Sequence, residues 1–283
     1  YINPMTLQAI TQRPVVAEMF TLHSELAVEH VALAQKASVL LIAPASANTI
    51  AKIAHGMADN MLTCTALATR APIVIAPAMN TGMYENPVTQ ENLGLLKSRG
   101  GVVVEPGEGR LACGTVGKGR LADPEDIIDT VKVVLGRKGD LVGRRILVTA
   151  GGTQEPIDPV RHITNRSSGK MGYAIAIAAR DRGAEVDLIT APSELRTPKG
   201  INVTRVRAAE QMLEAVGALI SSCDALVMAA AVSDYRVASP SEHKIKKSGD
   251  TLTLTLVKNP DILATLSASG PQRPKLVIGF AAE

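Results

Sequence analysis

Several short segments of this sequence place polar side chains where a ligand or a reaction can use them. Pro44-Ala45-Ser46-Ala47-Asn48-Thr49 follows an apolar run and opens a helical pattern, so Ser46, Asn48 and Thr49 stand beside helix N–H groups. Ser46 or Asn48 reads equally well as a plain helix cap. Asn80 is the amide of an otherwise apolar loop, Pro77-Ala78-Met79-Asn80-Thr81-Gly82-Met83-Tyr84, and suits either a ligand clamp or a turn. Cys113, in Arg110-Leu111-Ala112-Cys113-Gly114, has the Gly-rich loop setting of a reactive thiol. Cys64 and Cys223 fall in helix and strand patterns, as small core residues do. His30 precedes the amphipathic run Val31, Leu33, Ala34 and reads as a partly exposed helix residue as readily as a catalytic one.

Farther along, Gly151-Gly152-Thr153 follows a strand pattern, and Asn165-Arg166-Ser167-Ser168-Gly169-Lys170-Met171-Gly172 opens a helix. Glycines after a strand and Ser-Ser-Gly at a helix start describe an anion cradle. It is neither the dinucleotide G-x-G-x-x-G nor a Walker A loop, because Gly169-Lys170 is followed by Met171 and lacks the upstream glycine. Asp234, in Ala231-Val232-Ser233-Asp234-Tyr235, precedes Lys244-Ile245-Lys246-Lys247 and Lys258-Asn259-Pro260-Asp261-Ile262-Leu263. A lysine cluster is commonly a solvated face; after a carboxylate at a strand's carboxyl end it also suits a triphosphate with Mg²⁺.

The frame for these segments is an alternation of short β-rich apolar runs with helical patterns, the signature of α/β domains with mostly parallel sheets. In the first half the sequence predicts strands over 38–43, 72–76 and 101–104, with helices over 47–58, 87–99 and 124–135. The polar, Gly-rich segment 136–143 marks a boundary, giving domains 1–138 and 139–283. The cycle restarts with strands over 145–150, 185–190, 224–230 and 275–280 and helices over 169–182, 208–222 and 260–268. Residues 244–258 alternate around Ser248-Gly249-Asp250 and read as a β-hairpin. The expected fold class is α/β: two Rossmann-like domains with mostly parallel sheets, the first flavodoxin-like.

Bulk properties exclude other classes. A chain of 283 residues exceeds the usual single domain, and 46% hydrophobic with 20% charged residues is the balance of a soluble, well-cored protein. A net charge of +3 is too small for a nucleic-acid binder, and with no Trp and 2% aromatics there is little to stack bases on. No apolar run approaches the roughly 20 residues of a membrane helix. The three cysteines lack metal-ligand or disulfide-framework spacing, which points to a reducing cytoplasm. The first residue is Tyr1, without a signal peptide, and the last strand pattern ends just before Glu283. Both ends are expected to cut through a domain of a longer protein.

Taken together, PASANT, PAMNxxMY with a following ENP, and RLACG resemble, in order and spacing, the homo-oligomeric flavin-containing cysteine decarboxylases over nearly all of residues 1–135. The pattern EPIDPVR, NxSSGxMG, AAVxDY, KIKK, KNPDIL, GFAAE resembles the phosphopantothenate–cysteine ligases over 142–283. The whole chain is similar to the bifunctional phosphopantothenoylcysteine decarboxylase / phosphopantothenate–cysteine ligase family of bacterial coenzyme A synthesis.

That resemblance implies FMN, with Ser46, Asn48 and Thr49 at the flavin, His30 as base, Asn80 on the substrate carboxylate and Cys113 as proton donor. The substrate thiol is oxidised to a thioaldehyde, the carboxylate departs with its electrons delocalised into the thiocarbonyl, and the enethiol is reduced. A thiol with a reference pKa of about 8.5 is mostly protonated near neutrality and can serve as that donor. In the second half the resemblance implies CTP with Mg²⁺, whose protein ligands stay unassigned. Asn165 contacts an acyl-cytidylate and Lys244 the triphosphate, while Met228, Asp234, Pro260, Asp261, Ile262, Leu263 and Phe280 belong to the nucleotide site. It also implies trimers through the flavin half and dimers through the ligase half, possibly building a dodecamer, with neither nucleic acid nor membrane as partner.

There are departures. The family's opening strand–loop–helix, which holds much of the FMN phosphate site, is absent, Glu29 precedes His30 where a small residue is usual, and the family continues beyond GFAAE. A NAD(P)-dependent oxidoreductase is disfavoured by the missing glycine fingerprint and the lack of a Tyr-x-x-x-Lys pair. A non-catalytic, regulatory flavoprotein is disfavoured by Asn80, Cys113 and the fused ligase pattern.

Overall fold

The computed structural model describes residues 3–16, 29–111, 114–247, 250–268 and 274–280. Its contacts divide the chain into two compact units, Tyr1–Val134 and Leu135–Glu283.

The first unit runs α1 (Pro4–Thr11), α2 (Glu29–Lys36), β1 (Leu40–Ala45), α3 (Ala47–His55), α4 (Met61–Ala68), β2 (Ile73–Pro77), α5 (Thr81–Glu85), α6 (Pro87–Ser98), β3 (Val102–Val103), β4 (Gly107–Arg110), β5 (Val116–Arg120) and α7 (Pro124–Gly136). β1, β2 and β3 form a parallel sheet in that order. Side chains of a strand alternate between faces, and on β2 both faces are buried. Ile75 packs with Ile50 and Ala54 of α3 and Leu93 and Leu96 of α6. Val74 and Ala76 pack with Ile127 and Val134 of α7. A strand covered on both sides reads as an unbroken apolar run, which is why Ile73–Pro77 was legible.

The second unit runs β6 (Arg145–Ala150), β7 (Gln154–Asp158), β8 (Arg161–Thr164), α8 (Lys170–Asp181), β9 (Glu185–Thr190), β10 (Asn202–Arg205), α9 (Ala209–Leu219), β11 (Ala225–Met228), β12 (Tyr235–Val237), β13 (Leu256–Lys258), α10 (Ile262–Ala268) and β14 (Leu276–Gly279). A five-stranded parallel sheet takes the order β10-β9-β6-β11-β14. From β6 the chain winds outward one way through β9 and β10, then returns to the other side through β11 and β14. Open α/β sheets bind ligands outside the carboxyl ends of strands at such a reversal. Leu147 faces Met212 and Val216 of α9 and Ile262 of α10, while Val148 faces Tyr173 and Ala176 of α8. A Cβ at Gly172 would stand 2.6 Å from Ala150 Cβ and 2.7 Å from Thr149 O, so a missing side chain is what lets α8 lie against β6.

The expected hairpin over 244–258 is corrected. β13 pairs antiparallel with β12, in the register Tyr235↔Lys258 and Val237↔Leu256, and residues 244–247 form no strand. The N–H and C=O of Ile245 are engaged instead by Asp158 and Arg161, which removes them from any ladder. The expected turn residues Ser248 and Gly249 lie outside the described residues. Two further antiparallel ribbons, β4–β5 and β7–β8, carry no apolar alternation that would have announced them. No helix among the described residues is long and apolar enough to cross a membrane.

Candidate functional sites

In the first unit the loops after β1 and β2 are neighbours, since Ala45 pairs with Pro77 and Ala78 N donates to Ala45 O at 3.0 Å. Ser46 caps α3, its Oγ accepting from Thr49 N at 3.3 Å and lying 3.1 Å from Thr49 Oγ1. Asn48, in the same first turn, is exposed. Asn80 caps α5 through Oδ1, which accepts from Gly82 N at 2.8 Å. Capping is therefore the local role of both Ser46 and Asn80, and it fixes where each points.

The β4–β5 ribbon lies across this second loop. Met79 N donates to Gly119 O at 2.9 Å, and Gly119, at φ +139°, has no room for a Cβ, which would collide with Met79 O. Thr81 Oγ1 is buried against Gly117 and has no hydrogen-bond partner among the described residues. The ribbon's end closes with Leu111 N donating to Thr115 O at 2.8 Å. Cys113 lies outside the described residues. His30 is half-buried in the first turn of α2, on a separate element from the loops bearing Ser46 and Asn80.

A charged cluster props the ribbon and was not foreseen. Tyr84 OH donates to Glu105 Oε2 at 3.0 Å, Lys97 and Lys118 reach Glu105 at 3.3 and 3.5 Å, and Lys118 Nζ sits 5.7 Å from the Tyr84 ring centre. Burial, followed by the Glu105 carboxylate, pushes the Tyr84 hydroxyl up to about 12. At Glu105 burial pushes up as well, but the hydrogen bonds from Lys97 and Tyr84 and both lysine charges outweigh it, so the carboxyl titrates below its ordinary value. Single letters gave no signal for a grouping drawn from α5, α6, β5 and the loop after β3.

In the second unit a cavity of about 690 Å³ opens at the carboxyl ends of β11 and β14. Met228 ends β11, Phe280 follows β14, and Asp234 lies on the loop leaving β11; all three line it. Pro260, Asp261, Ile262 and Leu263, at the entrance to α10, line the opposite wall, and Asp261 Oδ1 caps that helix through Ala264 N at 2.9 Å. Residues distant in sequence thus share one cavity. Ser233, Tyr235, Lys258 and Asn259, quoted above in motifs but given no role, also line it. Asn259 locks the loop: its N donates to Asp234 O at 2.8 Å and its Nδ2 to Ser233 O at 2.7 Å.

Asn165 and Lys244 are not among the lining residues. Asn165 is joined to the wall, its Nδ2 donating to Val232 O at 3.1 Å. The Gly-Gly-Thr loop is stitched to the same wall: Ala231 N donates to Gly151 O at 2.8 Å and Ser233 N to Thr153 Oγ1 at 2.9 Å. Ser167 and Ser168 hydroxyls accept from Gly169 N and Lys170 N at 3.3 and 3.4 Å, in the turn that leads into α8, whose N-cap is Gly169. Lys244 is exposed, on a segment held to β7. Among the described residues no three His, Cys, Asp or Glu gather as a metal site would require.

Two family models match the chain: Flavoprotein over residues 2–136, and the DNA/pantothenate metabolism flavoprotein C-terminal domain over 141–283. The Coenzyme A biosynthesis bifunctional protein CoaBC of Haemophilus influenzae is 45% identical over 283 residues, covering 100% of this chain and 70% of its own length. The chain belongs to the CoaBC family. The Bacillus subtilis CoaBC is 41% identical over 286 residues with the same coverage of both chains. A crystal structure of the C-terminal domain of a CoaBC protein aligns with a TM-score of 0.44 at 45% identity, covering 50% of this chain and 66% of that one. The α/β architecture, parallel sheets in both units, agrees with the fold class read from the sequence.

Proposed function

We propose that this CoaBC-family chain performs two consecutive steps of coenzyme A synthesis. Residues 139–283 join cysteine to 4′-phosphopantothenate with CTP, and residues 1–138 decarboxylate the product, 4′-phosphopantothenoylcysteine, with FMN. The observation that carries this reading is 45% identity, through both halves, to proteins named for the bifunctional activity.

The donor set in the first unit fits a flavin. Hydroxyls of Ser46 and Thr49, amides of Asn48 and Asn80, and Thr81 Oγ1, which has no hydrogen-bond partner among the described residues, all belong to the loops and first helical turns at the carboxyl ends of β1 and β2. When bound, FMN would supply the two-electron oxidation of the substrate thiol and later return those electrons. His30 serves as base, and Asn80, a neutral amide, orients the carboxylate without over-stabilising it before it departs. Cys113 returns a proton during the final reduction.

In the second unit the phosphopantothenate carboxylate attacks the α-phosphate of CTP, forming the acyl–phosphate bond and expelling pyrophosphate. Cysteine's amine then attacks the acyl carbon and expels CMP. Asp234 and Phe280 take the cytidine, Lys244 faces the triphosphate, and Asn165 acts on the acyl-cytidylate. Mg²⁺ usually binds through one or two carboxylates plus phosphates, and Asp234 and Asp261 are the carboxylates at the cavity. Assembly through trimers of the first half and dimers of the second, in the cytoplasm, belongs to the same proposal.

Asn80→Ala is expected to lower CO₂ release roughly tenfold or more, the scale of one hydrogen bond to a charged group, while CTP-dependent ligation is unchanged. Labelled CO₂ and CMP measured on the same sample check this. Equal losses in both would point to misfolding or to one shared site.

A further inference from the structure

Asp158 ends β7, where the chain turns into β8, and its side chain is 0% exposed. Oδ1 accepts from the N–H groups of Val160 at 3.0 Å and Arg161 at 2.9 Å. Oδ2 accepts from Arg161 Nε at 2.9 Å, from Arg161 Nη2 at 2.5 Å and from Ile245 N at 3.2 Å. Arg161 Nη2 also donates to Ile245 O at 2.8 Å. Both backbone groups of Ile245 are thus engaged by a single ion pair some eighty residues earlier in the chain. A second tie lies just upstream, where Ser241 N donates to Ile157 O at 2.9 Å.

Burying a carboxylate is costly, and a buried ion pair is often no more stabilising than apolar residues of the same volume. Bulk stability alone is a weak account of this pair, in which Asp158 is buried and Arg161 is 43% exposed. Its location is the stronger account, because Ile245 stands between the exposed Lys244 and Lys246, with Lys247 next. Arg161, foremost, holds the Asp158 carboxyl far below the usual carboxylate range, so it remains charged at any working pH.

We propose that the Asp158–Arg161 pair is a positioning device that fixes the backbone at Ile245 and so sets Lys244 in place before the nucleotide arrives. Fixing a segment in its bound conformation in advance removes ordering cost from the binding step. The proposal deepens the reading above and rests on Lys244 serving the triphosphate.

The test compares wild type, Asp158→Asn, Lys244→Gln and the double variant for the KM for CTP and the kcat of pyrophosphate release. Asn keeps the volume but turns an amide NH₂ toward the Arg161 guanidinium and the Ile245 N–H, donors against donors. Asp158→Asn is expected to raise the KM for CTP about tenfold, with kcat altered much less. It should also speed tryptic cleavage after residues 244, 246 and 247 with little change at other sites. In the Lys244→Gln background the same change should add little, because the lysine it positions is gone. If Asp158→Asn does not fold, Arg161→Lys carries the same comparison, keeping a cation beside Asp158 while losing the arm on Ile245 O. An unchanged KM in a folded variant, or the same factor in both backgrounds, overturns the positioning role and leaves Lys244 as read. A Lys244→Gln variant with normal pyrophosphate release overturns the reading of Lys244, and the positioning role with it.

Discussion

Lys244→Gln is expected to slow pyrophosphate release by about ten- to a hundredfold, and Asn165→Ala to spare much of that step while impairing the next. A lost hydrogen bond to a charged group costs about 1.5–3 kcal/mol, and each 1.4 kcal/mol is about tenfold. In the proposed mechanism Lys244 meets negative charge as it shifts onto departing pyrophosphate, so its loss would fall on the first half-reaction. Asn165 is tied to Val232 of the cavity wall and stands at the entrance to α8, beside the stitched loops 151–153 and 231–233. Its loss leaves the acyl-cytidylate poorly held, to be released or to accumulate. Pyrophosphate and CMP measured separately, with and without cysteine, distinguish the two. If both variants lose both products in the same proportion, the proposed division of labour is wrong.

Cys113→Ser is expected to leave carboxylate loss largely intact and to suppress the final reduction almost completely. A hydroxyl is a far weaker acid than a thiol, whose reference pKa of about 8.5 already suits donation near neutrality. The enethiol, which lacks two hydrogens of the normal product, should then appear in mass analysis while CO₂ release continues. The expectation rests on the sequence pattern Arg110-Leu111-Ala112-Cys113-Gly114. Normal 4′-phosphopantetheine at the wild-type rate would remove Cys113 from the role of acid.

What the sequence disclosed and what it hid divide along physical lines. β2 and β6 were legible because burial on both faces demands an unbroken apolar run, as in Val74, Ile75 and Ala76 or Leu147 and Val148. The β4–β5 ribbon was invisible: apart from Val116, Gly107–Arg110 and Val116–Arg120 are glycines and charges, paired with each other and set against Met79 and Thr81. Residues 251–257 alternate strongly enough to signal a strand tendency, but alternation says nothing of the partner. The partner is β12, and the N–H and C=O of Ile245 are taken by Asp158 and Arg161. In the same way the motifs containing Met228, Asp234, Phe280 and Pro260 to Leu263 were readable one at a time. Their convergence on one cavity follows from the reversal of strand order at β6, which brings β11 and β14 side by side. Asn259, quoted in a motif but given no role, locks two of those segments together through Asp234 O and Ser233 O, a function no single letter reveals.

The most direct test of the two-step account uses cysteine labelled in its carboxyl carbon, supplied to the protein with FMN and Mg²⁺. Labelled CO₂ should appear only when 4′-phosphopantothenate and CTP are both present, with pyrophosphate and CMP formed in amounts that match or exceed it. Labelled CO₂ without CTP, or CMP formed with cysteine while no CO₂ ever follows, would contradict the account.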